Sequence, residues 1–233
     1  MLKVIENAVP VSCWSCSVAH NESTLFCPDC SKIQPPTAGD FFSVFGLEHR
    51  LNIDLAALEQ EFHRLSRRLH PDRFARASEN EREWSLADTA LLNDAYRTLK
   101  DPLRRTEYLL KLEGAGGSDA VLVENQEKIQ KQERVPADLL EEVFDLNIQI
   151  EEMRAAKKLG RQDAELEENL RQAAEKFAGM VGEVDRELRA QWTIWDEGGE
   201  AARLPAQRAM VALLDRWRFL SNMVRDVNEI LGD

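Results

Sequence analysis

From Asp54 to Pro102 the chain reads DLAALEQEFHRLSRRLHPDRFARASENEREWSLADTALLNDAYRTLKDP, and the apolar pattern of this stretch decides the fold. Asp54 is a good N-cap, and Leu55, Leu58, Phe62, Leu65 and Leu69 recur at three- and four-residue spacing, which predicts an amphipathic helix. Pro71 must end it, because a proline cannot donate the next helical hydrogen bond. Ser78 with Glu81 three residues on is a capping box, and Trp84, Leu91, Leu92, Ala95 and Leu99 form the stripe of a second helix. Asp101 and Pro102 close that helix and open a third, shorter one carrying Tyr108, Leu109 and Leu112. The first two are of suitable length for an antiparallel pair around the loop at His70-Pro71-Asp72.

Outward from this hairpin the pattern stays helical on the C-terminal side. Gly114, Gly116 and Gly117 interrupt it. Leu139, Leu140, Val143, Leu146 and Ile150 then predict one helix, and Leu166, Leu170, Phe177, Val181, Val184 and Leu188 a longer one. Gly198 and Gly199 break the chain again, and a last helix is expected after Pro205 through Met210, Leu213, Leu214, Trp217, Leu220, Val224 and Val227. The C-terminal region reads as an antiparallel three-helix bundle. On the N-terminal side, Gln34-Pro35-Pro36-Thr37-Ala38-Gly39 has turn composition and marks a linker. The expected organisation is mainly all-α: residues 1–38 a small cysteine module with its linker, 39–114 the hairpin domain, and 115–233 the bundle.

The composition, 43% hydrophobic and 31% charged over 233 residues, is that of a globular protein. A net charge of -12 argues against broad contact with a phosphate backbone, so nucleic acid is a poor partner. No run approaches the ~18 apolar residues of a membrane span. Met1 to Pro10 shows neither a signal-peptide core nor an Arg-rich transit pattern, so a cytoplasmic location is expected.

Cys13-x-x-Cys16 and Cys27-x-x-Cys30, ten residues apart, can present four sulfurs tetrahedrally to one zinc ion. Two disulfides or redox thiol pairs are the alternatives; the first is rare in the cytosol, and the second belongs to a strand-helix context not seen here. Such a site would be structural, since four thiolates leave no coordination position for a substrate.

His70-Pro71-Asp72 leaves an aspartate at the start of a loop, where its carboxylate can reach a partner. Arg64, Arg67, Arg68, Arg73 and Arg76 surround it, and Asp72 is the only acid from Phe62 to Ser78, so an acidic chain carries a basic patch here. Arg64, Arg67 and Arg68 share a helix flank and could dock an acidic surface. The plainer alternative is a solvated helix face ended by an ordinary proline stop.

The residues Phe41-Phe42-Ser43-Val44-Phe45-Gly46-Leu47, the His70-Pro71-Asp72 loop with Arg73-Phe74, and Leu92-Asn93-Asp94-Ala95-Tyr96-Arg97 through Arg105 resemble the J-domain of the HscB-type co-chaperones. Arg105-Thr106-Glu107-Tyr108-Leu109-Leu110 points to that family rather than to J-proteins in general, and Leu139 to Glu152 and Arg218-Phe219-Leu220 are similar too. The tetracysteine module resembles that of animal-type members; without their presequence, a bacterial relative is expected. The resemblance implies an adaptor and not an enzyme. His70, Pro71 and Asp72, aided by Arg64, Arg67, Arg68 and Arg73, would engage a DnaK-like, HscA-type chaperone and stimulate its ATPase, the aspartate pairing with a chaperone arginine. The bundle would deliver an IscU-type iron-sulfur scaffold.

For that scaffold the resemblance implies contacts at Leu140, Glu141, Phe144, Asp145, Ile148 and Glu152, with Phe219 from the last helix. Glu141 stands where an apolar residue is usual, and Ile148 where an acid is usual. Leu140, Phe144 and Ile148 form one stripe, while Leu139, Val143, Leu146 and Ile150 form another. Two stripes exceed what one bundle helix has to bury, leaving one for interaction, unless Phe144 and Phe219 are simply core. Two rivals remain. A general J-protein would carry Gly/Phe-rich linkers and β-rich client domains, and neither is visible. A zinc-ribbon nucleic-acid-binding or redox regulator would need more positive charge than Lys3 and Lys32 supply near the cysteines. Iron in place of zinc, and a homodimer through the module, are left open.

Overall fold

A computed structural model describes residues 11–20, 24–36, 39–114 and 136–232. The expectations resting on Met1 to Pro10, on Thr37 and Ala38, and on Gly116 and Gly117 lie outside these residues. The fold is mainly helical, and the chain divides into two compact units, Met1–Leu109 and Leu110–Asp233.

In the first unit a two-stranded antiparallel sheet, β1 (Val11–Ser12) with β2 (Ala19–His20), precedes α1 (Phe41–Val44), α2 (Leu55–Leu69), α3 (Glu79–Lys100) and most of α4 (Pro102–Leu112). The starts follow the side-chain chemistry. Asp54 accepts from the backbone N–H groups of Ala56 and Ala57 at 2.9 and 3.0 Å, and Ser78 with Glu81 completes the capping box of α3. Asp101 holds the start of α4 through the Arg104 N–H at 2.9 Å. The α2–α3 hairpin buries Leu58, Leu65 and Leu69 from one helix and Leu92, Ala95 and Leu99 from the other. Phe62 stacks on Tyr96 with centroids 4.1 Å apart, and the α1 ring of Phe41 stacks on Tyr108 at 4.4 Å.

The tetracysteine segment belongs to this same compact unit. Ile33 and Gln34, at the head of the expected linker, are buried. A segment with so few residues cannot build a core by itself, and the rings of exposed Trp14 and half-buried Phe26 rest on hairpin side chains.

One buried charge is unusual. Asp88 on α3 is 1% exposed, neither carboxylate oxygen has a hydrogen-bond partner, and it lines a small pocket with Leu25, Pro35, Ser43 and Val44. Burial pushes its pKa up to about 7. A carboxyl raised in the folded state stabilises the fold below its unfolded pKa and loses that contribution as pH climbs through the folded value. The unit should therefore lose up to about 4 kcal/mol between pH ~4 and ~8. Denaturant unfolding over this range should show the slope in the parent chain and a flat profile for Asp88→Asn. An unchanged slope in the variant would assign the titration to another group.

The second unit consists of α5 (Leu140–Lys158), α6 (Ala164–Glu197) and α7 (Glu200–Leu231). The long α6 and α7 form an antiparallel pair, and α5 packs on both. The core gathers Leu139, Val143, Leu146, Ile150 and Met153 with Leu170, Phe177 and Val184 of α6 and Phe219, Leu220 and Val227 of α7. The reversal needs Gly198, where a Cβ would sit 2.3 Å from the carbonyl oxygen of Ile194. The last helix begins at Glu200 and not after Pro205, which lies inside α7. Glycine at position 199 already provides the break, and Pro205 is close enough to the N-terminus that it releases only a carbonyl of the first, exposed turn.

Candidate metal centre and partner-binding surfaces

The four cysteines converge. Their sulfurs all lie within 4.8 Å of one another, with Cys13 to Cys30 and Cys16 to Cys27 each at 3.6 Å. Four sulfurs at zinc-ligand distance from one ion would be ~3.8 Å apart along a tetrahedron edge, so the spacing fits a metal, whereas a disulfide needs ~2.05 Å.

The cage is made of two like turns. In the first, the Cys13 N–H donates to the Val18 carbonyl at 2.9 Å and the Ser17 N–H to the Cys13 carbonyl at 2.9 Å. In the second, Cys27 donates to Lys32 at 2.8 Å and Ser31 to Cys27 at 3.0 Å. Ser17 and Ser31, each just past a second cysteine, both take the left-handed backbone, with φ of 62° and 58°. Each turn is closed by its own antiparallel pairing, β1 with β2 around the first and a Phe26–Ile33 bridge around the second.

Sulfur electrostatics favour a cation. Burial pushes the Cys13 thiol up, but the N–H groups of Cys16 and Ser15 and the neighbouring thiols outweigh it and bring it to about 6. Cys16 moves the other way, to about 12: a backbone hydrogen bond from Val18 favours its thiolate, but desolvation and the sulfurs of Cys13, Cys30 and Cys27 oppose it more strongly. Thiols this close cannot all ionise unaided, and a bound cation is what lets the full set ligate. Trp14, Phe26, Lys32 and Gln34 complete the module; the Gln34 amide donates to the Cys13 sulfur at 3.5 Å. Of these, the sequence reading weighed Lys32 for its charge and placed Gln34 in the linker, and the aromatic inside the first Cys-x-x-Cys was the signal available for Trp14.

The His70-Pro71-Asp72 loop is a 3-10 turn, Pro71–Phe74, with the proline at its first position. Asp72 is almost wholly exposed, its carboxylate side chain at 91%. His70 Nδ1 accepts from the Asp72 N–H at 3.3 Å, and the Arg73 N–H donates to the His70 carbonyl at 2.9 Å. Behind the loop, Ser85 of α3 donates to the last carbonyl of α2, Leu69, at 2.6 Å. That bond fixes the end of α2 directly before His70, and Ser85 is fully buried, a role the apolar stripe does not reveal.

The four arginines differ. Arg67 and Arg73 are exposed, whereas Arg64 is held by Glu61 at 2.7 and 2.5 Å, and Arg68 lies 3.9 Å over the Phe26 ring. Burial, with the charges of Arg64 and Arg73, lowers the pKa of Arg68, so the positive charge is concentrated here.

On α5 the two stripes separate cleanly. Val143, Leu146 and Ile150 face the core, while Leu140, Phe144 and Ile148 are 56, 66 and 43% exposed, flanked by exposed Glu141, Asp145 and Glu152. Ile148 thus continues the apolar stripe. Phe219 does not join it: at 6% exposure it sits in the bundle core, because α7 packs on both α5 and α6 and buries a wide arc.

No family model matches the chain. The mouse iron-sulfur cluster co-chaperone protein HscB is 36% identical over 111 residues, covering 46% of this chain and 47% of that protein. An Arabidopsis thaliana HscB homologue is 32% identical over 166 residues, covering 71% and 61%. The chain spans about half the length of most of the curated relatives it matches. The crystal structure of human HscB superposes with a TM-score of 0.62 at 24% identity, covering 94% of this chain and 98% of that one, which shows the same fold. Among the described residues no helix is long and apolar enough to cross a membrane.

Proposed function

We propose that this chain, HscB-type in sequence and fold, is a co-chaperone of iron-sulfur cluster assembly that binds an IscU-type scaffold and presents it to a DnaK-like, HscA-type chaperone. The loop His70-Pro71-Asp72 with exposed Arg67 and Arg73 engages the chaperone and stimulates its ATPase. The exposed stripe Leu140, Phe144 and Ile148, with Glu141, Asp145 and Glu152 around it, takes the scaffold. Cys13, Cys16, Cys27 and Cys30 hold a structural zinc, and the chain performs no chemistry of its own. The organisation behind this reading is a metal module, a J-domain and a scaffold-binding bundle, in the cytoplasm of a bacterium.

The carrying observation is the exposure of three large apolar residues in a row on a helix whose opposite face is fully packed. Isolated exposed apolar residues are ordinary, but an aligned set rimmed by acids marks an interface. Purified from its native host, the full chain is expected to bring down both a scaffold and a DnaK-like chaperone and to carry ~1 zinc per molecule. Mass spectrometry of the eluate with elemental analysis reads all three. Absence of the scaffold and chaperone would defeat the partner reading; two disulfides without metal would defeat the zinc.

A further inference from the structure

Arg68 and Glu81 bracket the exposed loop: Arg68 lies two residues before His70 on α2, and Glu81 is in the first turn of α3. Both are held by the tetracysteine module. The Arg68 guanidinium sits 3.9 Å over the ring of Phe26, the residue before Cys27. Lys32, two residues after Cys30, pairs with Glu81 at 2.9 Å, and the Glu81 side chain is only 8% exposed. The same carboxylate accepts from the Ser78 N–H at 3.2 Å and the Ser78 hydroxyl at 2.9 Å, so one group closes both the start of α3 and the contact to the module. Trp14, inside the first Cys-x-x-Cys, meets Trp84 of α3 edge-on at 5.7 Å and donates its indole N–H to the Ile33 carbonyl at 2.7 Å.

These contacts depend on the cage. Two cysteine turns and a pair of two-residue strands bury too little to fold unaided, so the positions of Phe26 and Lys32 are set by whatever holds the four sulfurs together. Without a metal the Phe26 ring leaves Arg68, and Glu81 loses the cation that offsets its burial. A buried carboxylate stripped of its partner is unfavourable, and the α3 turn beside the loop must rearrange or hydrate.

We propose that the metal-filled tetracysteine module is a brace: it holds Arg68 and the first turn of α3 on either side of His70-Pro71-Asp72, so that the loop's geometry, and with it its action on a chaperone, follows metal occupancy. The mechanical part stands on the contacts above; the functional part rests on the chaperone reading.

Hydrogen exchange on the full chain separates the two. Chelation should speed exchange of the amides from 70 to 82 by about tenfold or more while leaving α6 and α7 unchanged. Lys32→Met, which keeps the stem and the four cysteines, should retain its metal and yet speed exchange over 78–82 severalfold. Unchanged exchange over 70–82 in both samples overturns the brace, and so does a Lys32→Met protein that matches the parent, whatever chelation does. In parallel, ATPase stimulation of a purified DnaK-like chaperone should fall on chelation in step with the exchange. Equal stimulation by loaded and chelated chain overturns the functional part. A fully loaded parent that does not stimulate counts against the chaperone reading, and the exchange data then decide the brace alone.

Discussion

The Asp72→Asn variant is expected to melt like the parent chain and to bind a scaffold normally, yet to lose stimulation of a DnaK-like ATPase by about tenfold to a hundredfold. The structure separates these effects. The Asp72 side chain is 91% exposed, with one carboxylate oxygen 3.5 Å from His70 Nδ1, while the turn is closed by the Arg73 N–H and the end of α2 by Ser85. Asparagine keeps the volume and removes the charge, so an interaction with a partner cation should suffer, while the exposed contact to His70 contributes little to stability. Arg67→Glu acts on the same encounter by another route: an exposed charge steers association, so its loss should slow binding and reduce the sensitivity to salt. Coupled ATPase assays at two ionic strengths read both. Full stimulation by Asp72→Asn would reduce the tripeptide to a helix stop.

The second large effect lies on α5. Leu140→Ala and Phe144→Ala should each weaken scaffold binding by ~1 to 4 kcal/mol, because truncating a large anchor at an interface centre removes its desolvated contact. Their own fold should hardly notice, since both side chains already face water at 56 and 66% exposure. Leu146→Ala, on the opposite face at 2% exposure, should do the reverse and cost ~2 to 5 kcal/mol of stability. Calorimetric titration with an IscU-type scaffold, beside thermal melts of the three variants, compares the faces directly. Undiminished affinity in the double variant Leu140→Ala, Phe144→Ala would refute the stripe as the binding face.

Much of this fold was legible in the sequence where the determinants are local. The caps Asp54, Ser78 and Asp101 lie within three residues of the amides they satisfy, and the apolar stripes repeat with the helix itself, so element identity needed no tertiary information. The convergence of the four thiols was legible for the same reason: each Cys-x-x-Cys is a turn of fixed reach, and only the joining of two turns remained to be decided. Pro205 shows the limit of such local rules, because a proline in the sixth helical position looks like a start, and the Gly198 reversal that overrules it rests on backbone packing.

By itself the sequence determined most of the helices, the pairing of the four cysteines into two Cys-x-x-Cys turns and the Pro-Asp turn between α2 and α3, all properties of neighbouring residues. Only the tertiary structure decided which of the two α5 stripes is left to water, that Phe219 is core, that Asp88 is buried without a partner, and that Phe26 and Lys32 reach Arg68 and Glu81. The physical reason is common to all four. Burial and long-range pairing depend on what a third element places over a residue, and a helical period is blind to whether a face meets another helix or solvent.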